Sequence, residues 1–214
     1  MHARPCRPLP RRRAAACASA CLPSATAFCC PYCPEFQARY PEVELDLDFN
    51  DHLVDVVEGG LDVVIRSGDL ADSRLVARRL GPFRFVLAAS PAYLAERGIP
   101  LTPADLAGHT SLRYRFLNSG KLEEWTLAGL PAMPIALVCN NMEAMLGAAI
   151  SGLGLAYMPD FLARDALARG ELRQVLAEQL THSGQFSALW PSSRQLSPKV
   201  RAFVDFASER LFKG

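Results

Sequence analysis

Three polar side chains of this sequence have the type and placement to bind a small anion: Arg66, Asn140 and Asn141. Arg66 directly follows an apolar run, residues 61–65, that has the length of a buried strand. Open α/β sheets bind ligands at the carboxyl ends of their strands, and a planar guanidinium pairs bidentately with a carboxylate. The two asparagines stand where a helical pattern begins, and the free N–H groups of a helix N-terminus attract anions. We therefore expect these residues to bind a small carboxylate, with a helix N-cap as the alternative role for one asparagine.

Four further side chains are weaker candidates for ligand contact. Asn50 and Asp51 follow an alternating strand pattern at residues 42–49, where turn formation is the alternative role. Tyr114 and Phe116 alternate along another predicted strand, so both point to one of its faces and could line a binding cleft. Packing in the core is the alternative role for these two aromatic residues.

The sequence lacks the arrangements on which catalysis or metal binding usually rests. His52, His109 and His182 lie in unrelated places, and no nucleophile elbow, zinc-protease helix or phosphate-binding loop occurs. Glu123 and Glu124 are expected to form a solvated pair of charges. We therefore predict that the chain is not an enzyme and that it holds neither a metal nor a cofactor.

The overall balance of the sequence is that of a globular protein without a strong electrostatic preference. Half of its 214 residues are apolar and the formal net charge is +1, so nothing points to nucleic acid or a membrane surface. No run of about 18 apolar residues occurs, so no transmembrane helix is predicted. Six of the seven cysteines fall within the first 33 residues, unlike those of a secreted disulfide scaffold. We expect a reducing, cytoplasmic location.

Residues 1–33 differ in composition from the rest of the chain and have three competing interpretations. Basic residues ahead of an Ala-rich stretch ending at Cys21 suggest an export signal, but its apolar part is short and broken by polar residues. Cys30 and Cys33 have the C-x-x-C spacing of glutaredoxin-like redox proteins, although Pro34 disturbs the helix that such proteins need. Arg, Ala, Pro and Cys are also what GC-rich DNA gives when read out of frame. We expect a disordered or non-native head without a strand.

From Pro34 onward the pattern is that of an α/β protein. The alternating segment 42–49 and the apolar segment 61–65 flank a short helical stretch, which is the strand–helix–strand order of a parallel sheet. Ser90 and Ser197 each precede a proline, which predicts a helix start at both places.

Residues 140–159 combine a capping-box start, apolar residues at helical spacing, a glycine stop and a buried return strand. Together with three other stretches, this segment resembles the effector-binding domain of LysR-type transcriptional regulators. The four stretches are each moderately specific and occur in the family's order: residues 34–43, 58–68, 140–159 and 196–206. Together they make the resemblance strong over nearly all of the chain after the head.

The resemblance implies a two-lobed α/β fold like that of type 2 periplasmic binding proteins. In that fold two strands cross between the lobes, and the ligand lies between them. The crossings are expected near residues 80–84 and 181–186. Lobe one would comprise residues 34–80 together with 187–214, and lobe two residues 81–186.

The resemblance also implies a function in sensing. Members of the family bind a small-molecule effector, form homodimers or larger homo-oligomers by antiparallel pairing of these domains, and bind DNA through an N-terminal winged helix. Here the outer face of lobe one would supply the contact between copies. Nothing in the first 33 residues resembles the winged helix, so DNA binding is expected only through a segment absent from this chain.

One more candidate and two rival functions follow from the same comparison. The family's first strand carries a Ser- or Thr-bearing loop, which places Ser24 among the candidate ligand contacts. An exported solute-binding protein of the same fold is the first alternative function. A thiol redox protein using Cys30 and Cys33 is the second.

Overall fold

The computed structural model describes residues 30–49, 61–67, 74–117, 119–192 and 197–210, together with the backbone of residues 15–20. The described strands are β1 (Ala15–Ala20), β2 (Glu44–Asp48), β3 (Val63–Ser67), β4 (Leu75–Ala89), β5 (Ser111–Tyr114), β6 (Ile135–Cys139), β7 (Leu155–Pro159), β8 (Arg173–Val175) and β9 (Ser183–Pro191). The described α-helices are α1 (Cys33–Arg39), α2 (Pro91–Arg97), α3 (Met142–Ile150), α4 (Asp160–Ala168) and α5 (Pro198–Arg210). The strands join in the order β2-β1-β3-β9-β4-β7-β5-β6, and β8 pairs with β4.

The lobe-one sheet consists of β1, β2 and β3 with the adjoining halves of β9 and β4. β2 and β3 run parallel to β1, whereas β9 runs antiparallel to β3. β2 alternates as predicted, since Leu45 and Leu47 pack against the core and the carboxylates beside them are exposed. Helices α1 and α5 meet through Phe36, whose ring centroid lies 5.2 Å from that of Phe206.

The expectation that residues 1–33 contain no strand is wrong. The backbone of β1 lies between β2 and β3, with Ala16 level with Leu45 and Ala18 level with Val63. Composition misled the expectation, because alanine, serine and cysteine pack weakly in isolated strands, whereas here two neighbouring strands supply the hydrogen bonds. The first strand that the LysR resemblance requires is therefore present.

Two long strands connect the lobe-one sheet to a second sheet, as the resemblance implied. β4 and β9 pair from Leu75 opposite Pro191 to Arg84 opposite Ser183. Beyond that point β4 continues as part of the second sheet, beside β7. Gly and Pro at positions 81 and 82 interrupt the apolar pattern of β4. A register shift directly before Gly81 accommodates that interruption as a bulge.

The lobe-two sheet consists of β5, β6, β7 and β8 with the second half of β4. β5 runs parallel to both β6 and β7, so the carboxyl ends of three strands lie at one edge. Helices α3 and α4 cover one face, where Met142, Met145 and Leu162 form a buried cluster. Trp125 is buried on the opposite face. Met142, Met145 and Trp125 are thus core residues.

The sequence predicts the N-caps of two helices correctly and places the N-cap of a third helix one residue too early. The Ser90 hydroxyl accepts a hydrogen bond from the Tyr93 amide at 3.2 Å, and Ser197 accepts one from Val200 at 3.4 Å. Helix α3 is capped by Asn141 and not by Asn140. Among the helices described, none is long and apolar enough to cross a membrane.

Candidate functional site

The carboxyl ends of the parallel strands in both lobes point toward the crossing part of β4 and β9. In lobe one, Ser67 at the end of β3 is level with Phe186, which is in turn level with Gly81. In lobe two, Pro159 at the end of β7 is level with Phe85. The stretch of β4 from Gly81 to Phe85 thus separates the two edges by roughly 13 Å. Ligands of open α/β sheets bind outside such strand ends.

Arg66 lies at the lobe-one edge, within β3 and not after it. It is level with Ser187 of β9, and Ser187 is level with Arg79 of β4. Directly paired residues of neighbouring strands point to the same side of a sheet, so these three side chains form a row, which we call the Arg66 row. Arg66 is half-buried and Arg79 is exposed. Two guanidinium groups on either side of a hydroxyl are suited to a carboxylate or another small anion.

Ser187 and Arg79 were not recognised from the sequence. They come together with Arg66 through the register of three strands that are far apart in the chain, and periodicity within each strand carries no information on that register. No described side chain forms a hydrogen bond or ion pair with the Arg66 guanidinium, so its donors face no competing carboxylate within the described ranges.

Asn140 and Asn141 lie at the lobe-two edge, where β6 ends and α3 begins. The Asn141 side-chain oxygen accepts a hydrogen bond from the Ala144 amide at 2.8 Å, so Asn141 is the helix N-cap. Asn140 is exposed. The structure therefore assigns a structural role to Asn141 and leaves Asn140 at the surface beside the helix N-terminus. Both asparagines belong to lobe two, whereas the Arg66 row belongs to the lobe-one sheet.

The two aromatic candidates of β5 differ in burial. Tyr114 is 3% exposed and packs with Met142 and Met145 in the lobe-two core, which is the core packing predicted from the sequence as its alternative role. Phe116 is 42% exposed, and its ring meets that of Tyr114 edge-on at 5.2 Å. Phe116 is therefore accessible to a ligand, while Tyr114 supports it from below.

Three sequence-predicted candidates, Ser24, Asn50 and Asp51, lie outside the described residues. Their expected roles stay predictions.

An aromatic cluster joins the lobes at the crossing strands. Phe83 of β4 stacks on Phe186 of β9 with ring centroids 4.5 Å apart, and Phe161 of α4 meets both rings at 5.8 and 5.6 Å. Gly184 lies opposite Phe83, and its missing side chain leaves room for the ring. Phe161 of lobe two thus packs on rings from both crossing strands.

Glu123 does not form the solvated pair with Glu124 that the sequence predicted. Its amide donates to the Tyr114 carbonyl at 2.8 Å, which fixes Glu123 beside the carboxyl end of β5, and its Oε2 atom is buried. Burial raises the pKa of the Glu123 carboxyl from 4.5 to about 7, although the nearby Arg113 guanidinium opposes the rise. The expectation failed because contacts between different segments, and not local charge, determine the burial of this side chain.

Neither the cysteine pair nor the histidines form a catalytic arrangement in the described residues. Cys30 is exposed, and burial together with the neighbouring Cys30 raises the pKa of the Cys33 thiol, which is the opposite of thiol activation. His109 is buried and lies 3.2 Å from the Tyr93 hydroxyl. Within the described ranges, no group of three or more His, Cys, Asp or Glu side chains could hold a metal ion.

Comparison with known proteins identifies the family. The sequence profile of the LysR substrate binding domain matches residues 20–212, which is most of the chain. The chain belongs to the LysR family. It is 37% identical over 190 residues to an HTH-type transcriptional regulator of Xanthomonas campestris pv. campestris, covering 85% of this chain and 55% of that protein. It is 33% identical over 186 residues to the regulator CrgA of Neisseria meningitidis, covering 85% of this chain and 62% of CrgA.

Solved structures of LysR proteins agree with the match. The regulatory domain of Neisseria meningitidis CrgA superposes with a TM-score of 0.83 at 30% identity, covering 94% of this chain and all of that domain. The effector domain of AmpR from Pseudomonas aeruginosa gives a TM-score of 0.77 at 28% identity, covering 92% of this chain and 95% of that chain. The two-lobed fold of the periplasmic-binding-protein type is thereby confirmed.

The chain corresponds to one domain of a LysR regulator. It carries a LysR substrate-binding domain, and its match begins at the last residue of β1. It spans 55 to 62% of the length of the two regulators compared above. The match is to a substrate-binding domain of transcriptional regulators, and it gives no support to an exported solute-binding protein or a thiol redox protein.

Proposed function

We propose that this LysR domain binds a small organic carboxylate between its lobes, with Arg66 as the principal contact. The observation that supports this proposal is the Arg66 row, in which the Arg66 and Arg79 guanidinium groups lie on either side of the Ser187 hydroxyl at the carboxyl edge of lobe one. A guanidinium binds a carboxylate through two parallel hydrogen bonds, and a second guanidinium nearby increases the attraction.

The position of the lobe-two edge limits the size of the effector. The lobe-two edge lies roughly 13 Å along β4 from the lobe-one edge, so a compact molecule reaches both edges when the lobes close. Asn140 and the N-terminus of α3 would meet the distal end of the effector, where N–H groups favour an acceptor or a second acidic group. Phe116 would contact its apolar part. Asn50, Asp51 and Ser24 remain proposed contacts from the sequence.

Effector binding would act on the angle between the lobes. A ligand that contacts both edges binds the closed arrangement better than the open one, and it therefore shifts the population toward closure. The stacked rings of Phe83 and Phe186 would transmit the change, because one belongs to each of the two crossing strands. We propose lobe one as residues 34–80 and 187–214, extended by β1, and lobe two as residues 81–186.

The wider activity follows from the family. We propose that the domain regulates a DNA-binding segment carried outside this sequence, that it works as a homo-oligomer through the outer face of lobe one, and that it is cytoplasmic and not catalytic. The share of its relatives that the chain spans, 55 to 62%, leaves room for such a segment.

Thermal shift measurements with a panel of small mono- and dicarboxylates test the effector class. A stabilising acid present at 100 times its Kd should raise the free energy of unfolding by ~2.7 kcal/mol. We expect Arg66→Ala to abolish that stabilisation, while Arg169→Ala, an exposed arginine at the far end of α4, leaves it intact. The corresponding amides serve as uncharged controls. Equal stabilisation of the wild-type and Arg66→Ala proteins by every active acid would rule out the proposed contact.

A further inference from the structure

Lobe two contains a partly buried carboxyl and a partly buried guanidinium that are neighbours but form no ion pair with each other. The Arg113 side chain donates from Nη2 to the backbone carbonyl of Glu123 at 2.7 Å and lies over the ring of Trp125, 5.2 Å from its centroid. The Glu123 Oε2 atom and the Arg113 Nε atom are both buried and have no hydrogen-bond partner. Arg113 thus contacts the backbone and the indole of this segment but not its carboxyl.

This arrangement suits a neutral carboxyl better than an ionised one. An ionised carboxylate without a partner is costly to bury, and it would attract a neighbouring guanidinium. A protonated carboxyl carries no charge, so Arg113 can remain on the Glu123 carbonyl and the Trp125 ring. The geometry therefore corresponds to the protonated form of Glu123.

We propose that Glu123 is a proton switch of lobe two, and that loss of its proton to solvent draws the Arg113 guanidinium away from the Trp125 ring and onto the carboxylate. The groups that interact with Glu123 are Arg113 on β5 and Tyr157 on β7, and the neighbouring Glu124 interacts with Arg113. Burial is the main cause that raises the pKa of Glu123, to about 7, and it also raises the pKa of Tyr157. The switch therefore operates around neutral pH.

The rings around the switch connect it to the crossing strands. Trp125 lies 6.0 Å from Tyr157, and Tyr157 stacks on Phe85 with ring centroids 4.7 Å apart. Phe85 contacts Phe83 of the aromatic cluster at 5.4 Å. When the Arg113 guanidinium leaves the face of the Trp125 ring, the packing changes at the first of these connected rings. The inference is independent of the proposed effector, because none of these residues belongs to the Arg66 row.

Two measurements on the full chain test the switch. The first is a ¹³C NMR titration of glutamate carboxyls, with Glu123 assigned by its loss in Glu123→Gln. We expect one carboxyl to titrate at about pH 7 in the wild type and in the matched control Glu124→Gln, but not in Glu123→Gln. If every glutamate of the wild-type protein titrates within about one pH unit of 4.5, the proposal is overturned whether or not the variants fold.

The second measurement follows the indole. In a Trp190→Phe background Trp125 is the remaining tryptophan, and its fluorescence should change with the same midpoint as the Glu123 carboxyl. The change should be absent in Glu123→Gln. Arg113→Gln should move the carboxyl midpoint to higher pH, since the cation that favours ionisation is lost. A fluorescence transition that persists in Glu123→Gln, or a midpoint unmoved by Arg113→Gln, would contradict the switch.

Discussion

Gly184 of β9 lies directly opposite Phe83 of β4, and a β-carbon at position 184 would collide with the Phe83 ring. The ring has little freedom to withdraw, because it is buried and stacks on Phe186. The glycine thus allows the two crossing strands to hold an aromatic cluster between the lobes.

Substitution of Gly184 by alanine should destabilise the protein by overpacking this junction. We expect Gly184→Ala to lower the free energy of unfolding by ~1–3 kcal/mol, measured by urea denaturation. Gly147→Ala is the control, because its β-carbon would meet open space in the middle of α3 and should stabilise the helix by about 0.5–1 kcal/mol. An unchanged stability of Gly184→Ala would show that the Phe83 ring moves freely.

His109 should make the protein less stable in mild acid. Burial chiefly, and Arg97 secondarily, lower the pKa of His109, while Asp105 opposes the shift. The folded protein therefore binds this proton less readily than the unfolded chain does, so the stabilisation is present above pH ~6.5 and is lost as the pH falls below it.

The measurement is the pH dependence of urea unfolding between pH 5 and 7.5, made in the Glu123→Gln background. That background is needed because the raised pKa of Glu123 acts in the opposite direction: its stabilisation is present below pH 4.5 and is lost as the pH rises through about 7. His109→Gln should remove the loss of stability in acid, whereas the exposed His182→Gln should retain it. Parallel pH profiles for His109→Gln and its parent would contradict the assignment.

Substitutions of Asn140 and Asn141 should affect stability differently, because Asn140 is a surface residue and Asn141 is the helix N-cap. Asn141→Ala should destabilise the protein by ~1 kcal/mol, since the Ala144 amide loses its acceptor. Asn141→Asp keeps an acceptor there and should keep the stability, but its negative charge should weaken binding of a carboxylate near α3. Asn140→Ala should leave the urea midpoint unchanged. A loss of stability in Asn140→Ala and not in Asn141→Ala would reverse the assignment of the cap.

Local signals in the sequence predicted the helix starts and the alternating strand, but not the features that depend on strand register. Ser90 and Ser197 cap their helices as expected, because a cap is made within four residues of chain. β1 was missed because its neighbours, and not its own side chains, make it a strand. The crossing strands were expected from the family resemblance and not from periodicity.

The same limit applies to the candidate site. Arg66 was recognised because it ends an apolar run, whereas its partners Ser187 and Arg79 become neighbours through pairing of β3, β9 and β4. Glu123 was expected at the surface because adjacent carboxylates are usually solvated. Its burial depends on a segment that folds back beside β5, which the local pattern does not encode.

A crystal structure of the protein with the carboxylate that stabilises it best in thermal shift tests the central claim most directly. We predict that the carboxylate group lies within hydrogen-bond distance of the Arg66 guanidinium, with Ser187 beside it and the rest of the molecule extending toward Asn140. A carboxylate bound elsewhere, with Arg66 and Ser187 out of its reach, would contradict the account.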